Sequence, residues 1–154
     1  MAQPALEDVR ADVLRKLLRL APVLDRLTAE GLARRGLSHA RARLLHVLAD
    51  EGPQVMTALS NALDITPRAV TALVDRLESD NLVRRCEHPT DRRSTVVELT
   101  PTGRRTCREM RAGHRRLAEE LLGSFDRTGL TTSGRVLDQV ASGLDRRRTG
   151  RRTA

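Results

Sequence analysis

A chain with almost no aromatic residues has few ways to build a core. Phe125 is the only aromatic among 154 residues, yet 39 % of the chain is hydrophobic. The core must come from Leu, Val and Ala, which suit packed helices better than the faces of a β-sandwich. The length allows one domain and is short for two. A mainly α fold follows as the expectation.

Apolar periodicity supports it. Residues 6–34 space Leu6, Val9, Val13, Leu17, Leu20, Leu24 and Leu27 at steps of three or four, an amphipathic helix that Pro22 should kink or divide and Gly36 should end. Ser38 caps a second helix near 38–50, stopped by Gly52-Pro53. Residues 54–62 predict a short third helix burying Val55, Ala58 and Leu59. Thr66 caps a fourth, with Pro67 at its first position and its end near Ser79. Val70, Leu73, Val74 and Leu77 form its inward stripe, while Arg68, Thr71, Ala72 and Asp75 point the other way. Asn81 follows where a left-handed residue is wanted.

The pattern then changes. Residues 82–87 and the β-branched 94–99 predict a pair of strands around the turn-rich His88-Pro89-Thr90-Asp91-Arg92-Arg93. Thr100-Pro101 opens a fifth helix to about 124, with Cys107, Met110, His114, Leu117 and Leu121 on one side. A last helix over about 132–146 contains Gly134 and Gly143, and the arginines of 146–152 are expected to fray.

Charge is concentrated, not spread. The net charge is +8, and Lys16 is the only lysine. Residues 1–83 are neutral, 84–116 carry ten arginines for a net +6, and 145–154 carry +4. A localised basic segment is an electrostatic footprint for an anionic partner.

Two short helices joined by a turn and followed by an arginine-tipped hairpin make a winged helix-turn-helix, whose second helix fits a DNA major groove. Arg68 can donate twice to a guanine, and Thr71 can reach a base edge or a thymine methyl. Thr66, Ala69, Ala72 and Arg76 complete the candidate DNA-binding face. Asp75 either accepts from cytosine or orients a nearby arginine. Arg92, Arg93 and Ser94 at the hairpin tip are candidates for the minor groove.

Val74-Asp75-Arg76-Leu77-Glu78, Leu82-Val83-Arg84-Arg85 and Asp91-Arg92-Arg93-Ser94-Thr95-Val96-Val97-Glu98-Leu99-Thr100-Pro101-Thr102-Gly103 resemble the MarR (multiple antibiotic resistance regulator) family. The resemblance implies one domain over 1–154, with dimerisation helices at 6–36 and 104–148 around a DNA-binding lobe at 38–103. It implies a homodimeric repressor released from a palindromic operator by a small anionic or aromatic effector. Arg93 would take the minor-groove position and Asp91 would hold the wing in shape. Asp64 and Asn81 stand where the family commonly has Gly, and both residue types tolerate turns.

Other chemistries weigh less. No Ser/His/Asp spacing, HExxH or glycine-rich phosphate loop points to an enzyme, and no cofactor motif is present. His39, His46 and His114 are candidate effector ligands; zinc would need three or four converging donors. Cys86, beside Arg84 and Arg85, is a candidate redox switch. An architectural DNA-binding protein without an effector is the remaining alternative. No apolar h-region or ~20-residue span is found, so the expected setting is the cytoplasm, away from membranes, with reduced thiols.

Overall fold

The computed structural model describes residues 5–87 and 94–150. The chain divides after Gly113 into two compact units. In order, the elements are α1 (Leu6–Ala33), α2 (His39–Glu51), β1 (Gln54–Val55), α3 (Met56–Leu63), α4 (Pro67–Ser79), β2 (Val83–Glu87), β3 (Thr95–Leu99), α5 (Pro101–Leu122) and α6 (Arg127–Gly150). This is the mainly helical, winged fold the sequence predicts.

The first unit is built around aliphatic side chains. Leu44, Leu45, Leu59, Val70, Val74, Leu77, Val83 and Val97 are its largest fully buried residues, while Phe125 is 59 % exposed. Helix α4 begins as expected: the Thr66 hydroxyl accepts from the Ala69 N–H, with Pro67 at the first position. Val70, Val74 and Leu77 are buried and Leu73 is half-buried. Left-handed turns close α3 at Asp64 (φ 54°) and follow α4 at Asn81 (φ 55°).

Several boundaries differ from expectation. The segment taken as the start of the third helix is strand β1, and the sheet has three strands in the order β1-β3-β2, all antiparallel. Gln54 pairs with Val97 and Val55 with Val96, so α3 begins only at Met56. A two-residue strand has no periodicity to read; its partner, forty residues on, defines it. Helix α1 runs unbroken through Pro22. Proline there removes one backbone hydrogen bond, while the apolar stripe on either side stays in register. Helix α6 starts five residues early, because the Asp126 carboxylate accepts the Gly129 N–H at 2.9 Å, and its backbone continues to Gly150 instead of fraying at 146.

One junction joins the fourth helix, the sheet and the fifth helix. The Leu82 N–H donates to the Leu77 carbonyl (2.8 Å), and the Leu82 carbonyl accepts from the Thr100 N–H (3.1 Å). The buried Thr100 hydroxyl donates to the Asn81 carbonyl (2.7 Å) and accepts from the Gly103 N–H (3.0 Å). Gly103 lies so near that an added Cβ would run into the Leu82 carbonyl. Gly113, on the same helix, has open space at that position. Gly103→Ala should therefore lower stability by about 1–3 kcal/mol through overpacking. Gly113→Ala should be neutral or stabilising by up to about 1 kcal/mol. Urea unfolding of the two variants checks the difference, and equal midpoints would remove the close approach as the reason for glycine at 103.

Candidate nucleic-acid interface

The burial of Val70, Val74 and Leu77 turns Arg68, Thr71, Ala72, Asp75 and Arg76 outward on α4, all exposed, with Ala69 half-buried at the edge. The Thr71 hydroxyl donates to the Pro67 carbonyl at 3.0 Å, which leaves its methyl and an oxygen lone pair available. Arg68 has no hydrogen-bond or ion-pair partner among the described residues. Its side chain is free to reach outward from the first turn.

The wing strands pair in register from Val83↔Leu99 to Glu87↔Thr95. Arg84 and Glu98 face each other across the ladder and form an ion pair. Ser94 is half-buried just before β3. Asp91, Arg92 and Arg93 lie outside the described residues.

Part of the basic segment is matched by its own surroundings. Arg84 pairs with Glu98, Arg105 with Glu109 (4.0 Å), and Arg111 with Asp50. Arg85 pairs with Asp75 (2.5 Å) and with Glu78, and its backbone N–H donates to the Glu78 carboxylate at 3.0 Å. Arg104 donates to the Leu99 carbonyl at 2.7 Å. Asp75 therefore orients an arginine, one of its two expected roles. Arg41 of α2 reaches Asp80, the C-cap of α4, at 2.8 Å, and Arg76 approaches the same carboxylate at 3.6 Å. The contacts of Arg41 and Arg85 are not marked in the sequence, although Arg85 belongs to the motif quoted for the family. Their partners lie 39 residues away and 7 to 10 residues away across a turn, and no local spacing marks either contact.

The candidate effector ligands fall in different units. His39 sits at the start of α2, its Nε2 3.5 Å from the Asp25 carboxylate. His46 is half-buried two turns further along, and His114 is exposed in the second unit. Among the described residues, no three of His, Cys, Asp and Glu come together as metal donors. A cavity of about 330 Å³ opens in the first unit instead, beside Leu48, Leu99, Cys107, Arg104, Arg108 and Arg111, and neither His39 nor His46 lines it.

The cysteine environments run against thiol activation. Partial burial pushes the Cys86 thiol up, and its Sγ donates to the Glu98 carboxylate at 3.5 Å. Arg84, expected to lower it, acts chiefly on Glu98, whose carboxyl it holds below the usual range. Burial also pushes up the Cys107 thiol, which is 2 % exposed. Both thiols should react more slowly with iodoacetamide at pH 7 than free cysteine does, with the rate rising only as pH passes above the ordinary thiol range. Fast labelling of Cys86 at neutral pH would contradict this environment.

The helix pair, the outward face of α4 and the three-stranded wing define a winged helix-turn-helix. The MarR family model matches residues 35–94. The HTH-type transcriptional repressor MdtR of Bacillus subtilis is 22 % identical over 90 % of this chain and 90 % of its own. NicR of Pseudomonas putida, also an HTH-type transcriptional repressor, is 32 % identical over 53 % of this chain and 52 % of its own. Among solved structures, the transcriptional regulator BldR of Sulfolobus solfataricus superposes with a TM-score of 0.68 at 28 % identity, covering 90 % of this chain and 99 % of that one. A MarR family protein of Bacillus stearothermophilus superposes with a TM-score of 0.78 at 24 % identity, covering 92 % and 99 %. Over residues 35–94 the chain is similar to the MarR family, and it resembles transcriptional regulators along most of its length. Among the described residues, no helix is long and apolar enough to cross a membrane.

Proposed function

We propose that the protein is a cytoplasmic homodimeric repressor that reads a palindromic DNA operator and is released from it by a small anionic or aromatic effector. The outward face of α4 carries this reading. It offers an unpartnered arginine and small polar side chains over a firmly buried apolar stripe. Thr66, Arg68, Ala69, Thr71, Ala72 and Arg76 contact the major groove, Arg92, Arg93 and Ser94 of the wing the minor groove, and Asp91 holds the wing in shape. Repression is supported by the names of the relatives MdtR and NicR.

Dimerisation accounts for apolar surface a single chain leaves open. On α1, Leu6, Val9, Val13, Leu20, Leu24 and Leu27 are each more than 40 % exposed. On α6, Val136, Leu137 and Leu144 are exposed to 45 %, 50 % and 60 %. Stripes of that length are rare on a monomer and fit subunit contacts. Helices at 6–36 and 104–148 join the subunits and the 38–103 lobe reads DNA, all within one domain.

For the effector, the cavity in the first unit offers Leu48 and Leu99 as apolar walls and Arg104, Arg108 and Arg111 as cations. With no Trp or Tyr in the chain, aliphatic side chains and arginine are what remain to hold a small carboxylate. His39, His46 and His114 remain secondary candidates.

Selection of bound sites from random duplex DNA should yield a dyad whose half-sites lie about 34 Å apart. Arg68→Ala should cost roughly 1–3 kcal/mol on that operator and less on random DNA. Arg93→Ala should weaken binding to both and reduce the salt slope by about 1. Equal losses on the two DNAs would remove Arg68 as a base reader. Retention of all sequences alike would favour the architectural alternative, and a site without dyad symmetry would contradict the dimer.

A further inference from the structure

We propose that Arg85 is a positioning residue for the DNA-reading helix, pairing with both Asp75 and Glu78 and cancelling one of their two negative charges so that the outward face of α4 can approach a phosphate backbone. The inference rests on the reading of α4 as the DNA-facing helix.

Asp75 lies one turn beyond Thr71 and two turns beyond Arg68, on the same face of α4, and its side chain is 60 % exposed. Glu78 is next along at the edge, 39 % exposed. Two carboxylates on a surface that meets DNA oppose the approach of phosphates. They are also badly placed for helix stability, since a helix C-terminus favours cations over anions. Neither position is therefore explained by α4 in isolation.

Arg85 answers both carboxylates at once. It is the third residue of β2, held opposite Val97 by the ladder, so its backbone is fixed before its side chain reaches out. Its Nη2 lies 2.5 Å from Asp75 Oδ1, its Nη1 donates to Glu78 Oε2, and its backbone N–H donates to Glu78 Oε1 at 3.0 Å. The guanidinium is 30 % exposed, turned toward the helix it serves. Asp80, the remaining acid at this end of α4, is met by Arg41 and Arg76 in the same way. Surface pairs of this kind add little to folding stability. Their consequence lies in the charge presented to DNA: with Arg85 in place, each carboxylate is paired and the cluster's charge falls from −2 to −1, beside Arg68, which has no partner among the described residues.

The test is a charge-rescue series on the full-length protein, with operator affinity read by fluorescence anisotropy and folding by circular-dichroism melting. Arg85→Ala should weaken operator binding about fivefold, the scale of one lost charge near phosphates in water, while melting within a few degrees of wild type. The triple variant Arg85→Ala, Asp75→Asn, Glu78→Gln should return to within about twofold of wild type. Arg85→Lys should fall between wild type and Arg85→Ala, because ammonium supplies the charge without the two-armed geometry. If Arg85→Ala fails to fold, Asp75→Asn, Glu78→Gln with Arg85 intact decides the matter, and should bind at least as tightly as wild type. Three results would overturn the proposal. The triple variant could stay as weak as Arg85→Ala, which would make Arg85 itself a DNA contact. Arg85→Ala could bind like wild type. The carboxylate double variant could lose more than about tenfold, which would make the acids themselves readers of DNA. If Arg68→Ala has no effect on operator binding, the reading of α4 fails. An effect of Arg68→Ala without charge rescue defeats only the role given to Arg85.

Discussion

Everything outward on α4 depends on what is inward. Val70, Val74 and Leu77 are each fully buried, and together they set the rotation of the helix about its own axis. Turning α4 by one residue, about 100°, would bring Thr71, Asp75 and Glu78 into the core and expose the three apolar side chains. Burying those side chains contributes roughly 5–9 kcal/mol, and two carboxylates in an apolar interior would add a further penalty. No ion pair on this surface competes with that. The reading face is thus a consequence of core packing, and the arginines adjust a surface whose orientation the core has already chosen.

Charge in this protein is arranged in pairs more than in patches. The arginine-rich stretch after residue 83 looks like a single basic footprint in the sequence. Folding brings Asp50, Asp75 and Glu78 from the neutral first half against Arg111 and Arg85, while Glu98 meets Arg84 across the strands. Part of the apparent potential is spent inside the lobe. Arg108, Arg115 and Arg116 of this stretch have no hydrogen-bond or ion-pair partner among the described residues, and neither does Arg68 on the outward face of α4. The Glu98 carboxylate meets both Arg84 and Cys86, whose thiol is pushed up first by burial and then by its hydrogen bond to Glu98.

Features made by neighbouring residues were legible in advance. The Thr66 cap, Pro67 at the first helical position, the inward stripe of α4 and the left-handed Asn81 all depend on contacts within about four residues. Features made by distant residues were not. Strand β1 exists because Gln54 and Val55 meet Val97 and Val96. Gly103 is part of the motif quoted for the family, but its reason, the Leu82 carbonyl against the first turn of α5, is visible only in the fold. The partners of Arg85 and Arg41 are likewise visible only once the fold brings their carboxylates into place. Pro22 and Gly134 marked expected breaks and weak points, yet α1 and α6 continue through them.

The sequence by itself determined a helical, aliphatic core and a winged helix-turn-helix, because periodicity, caps and turn residues act over a few positions. A chain with one aromatic residue had few alternatives. Tertiary structure decided which charges are free. Coulomb interactions depend on distance in space, and residues 10 or 61 apart in the chain are brought into contact only by the packed helices and strands between them. That is why the net charge of +8 could point to an anionic partner while only the folded lobe separates Arg68, exposed and without a partner among the described residues, from Arg85, paired with Asp75 and Glu78.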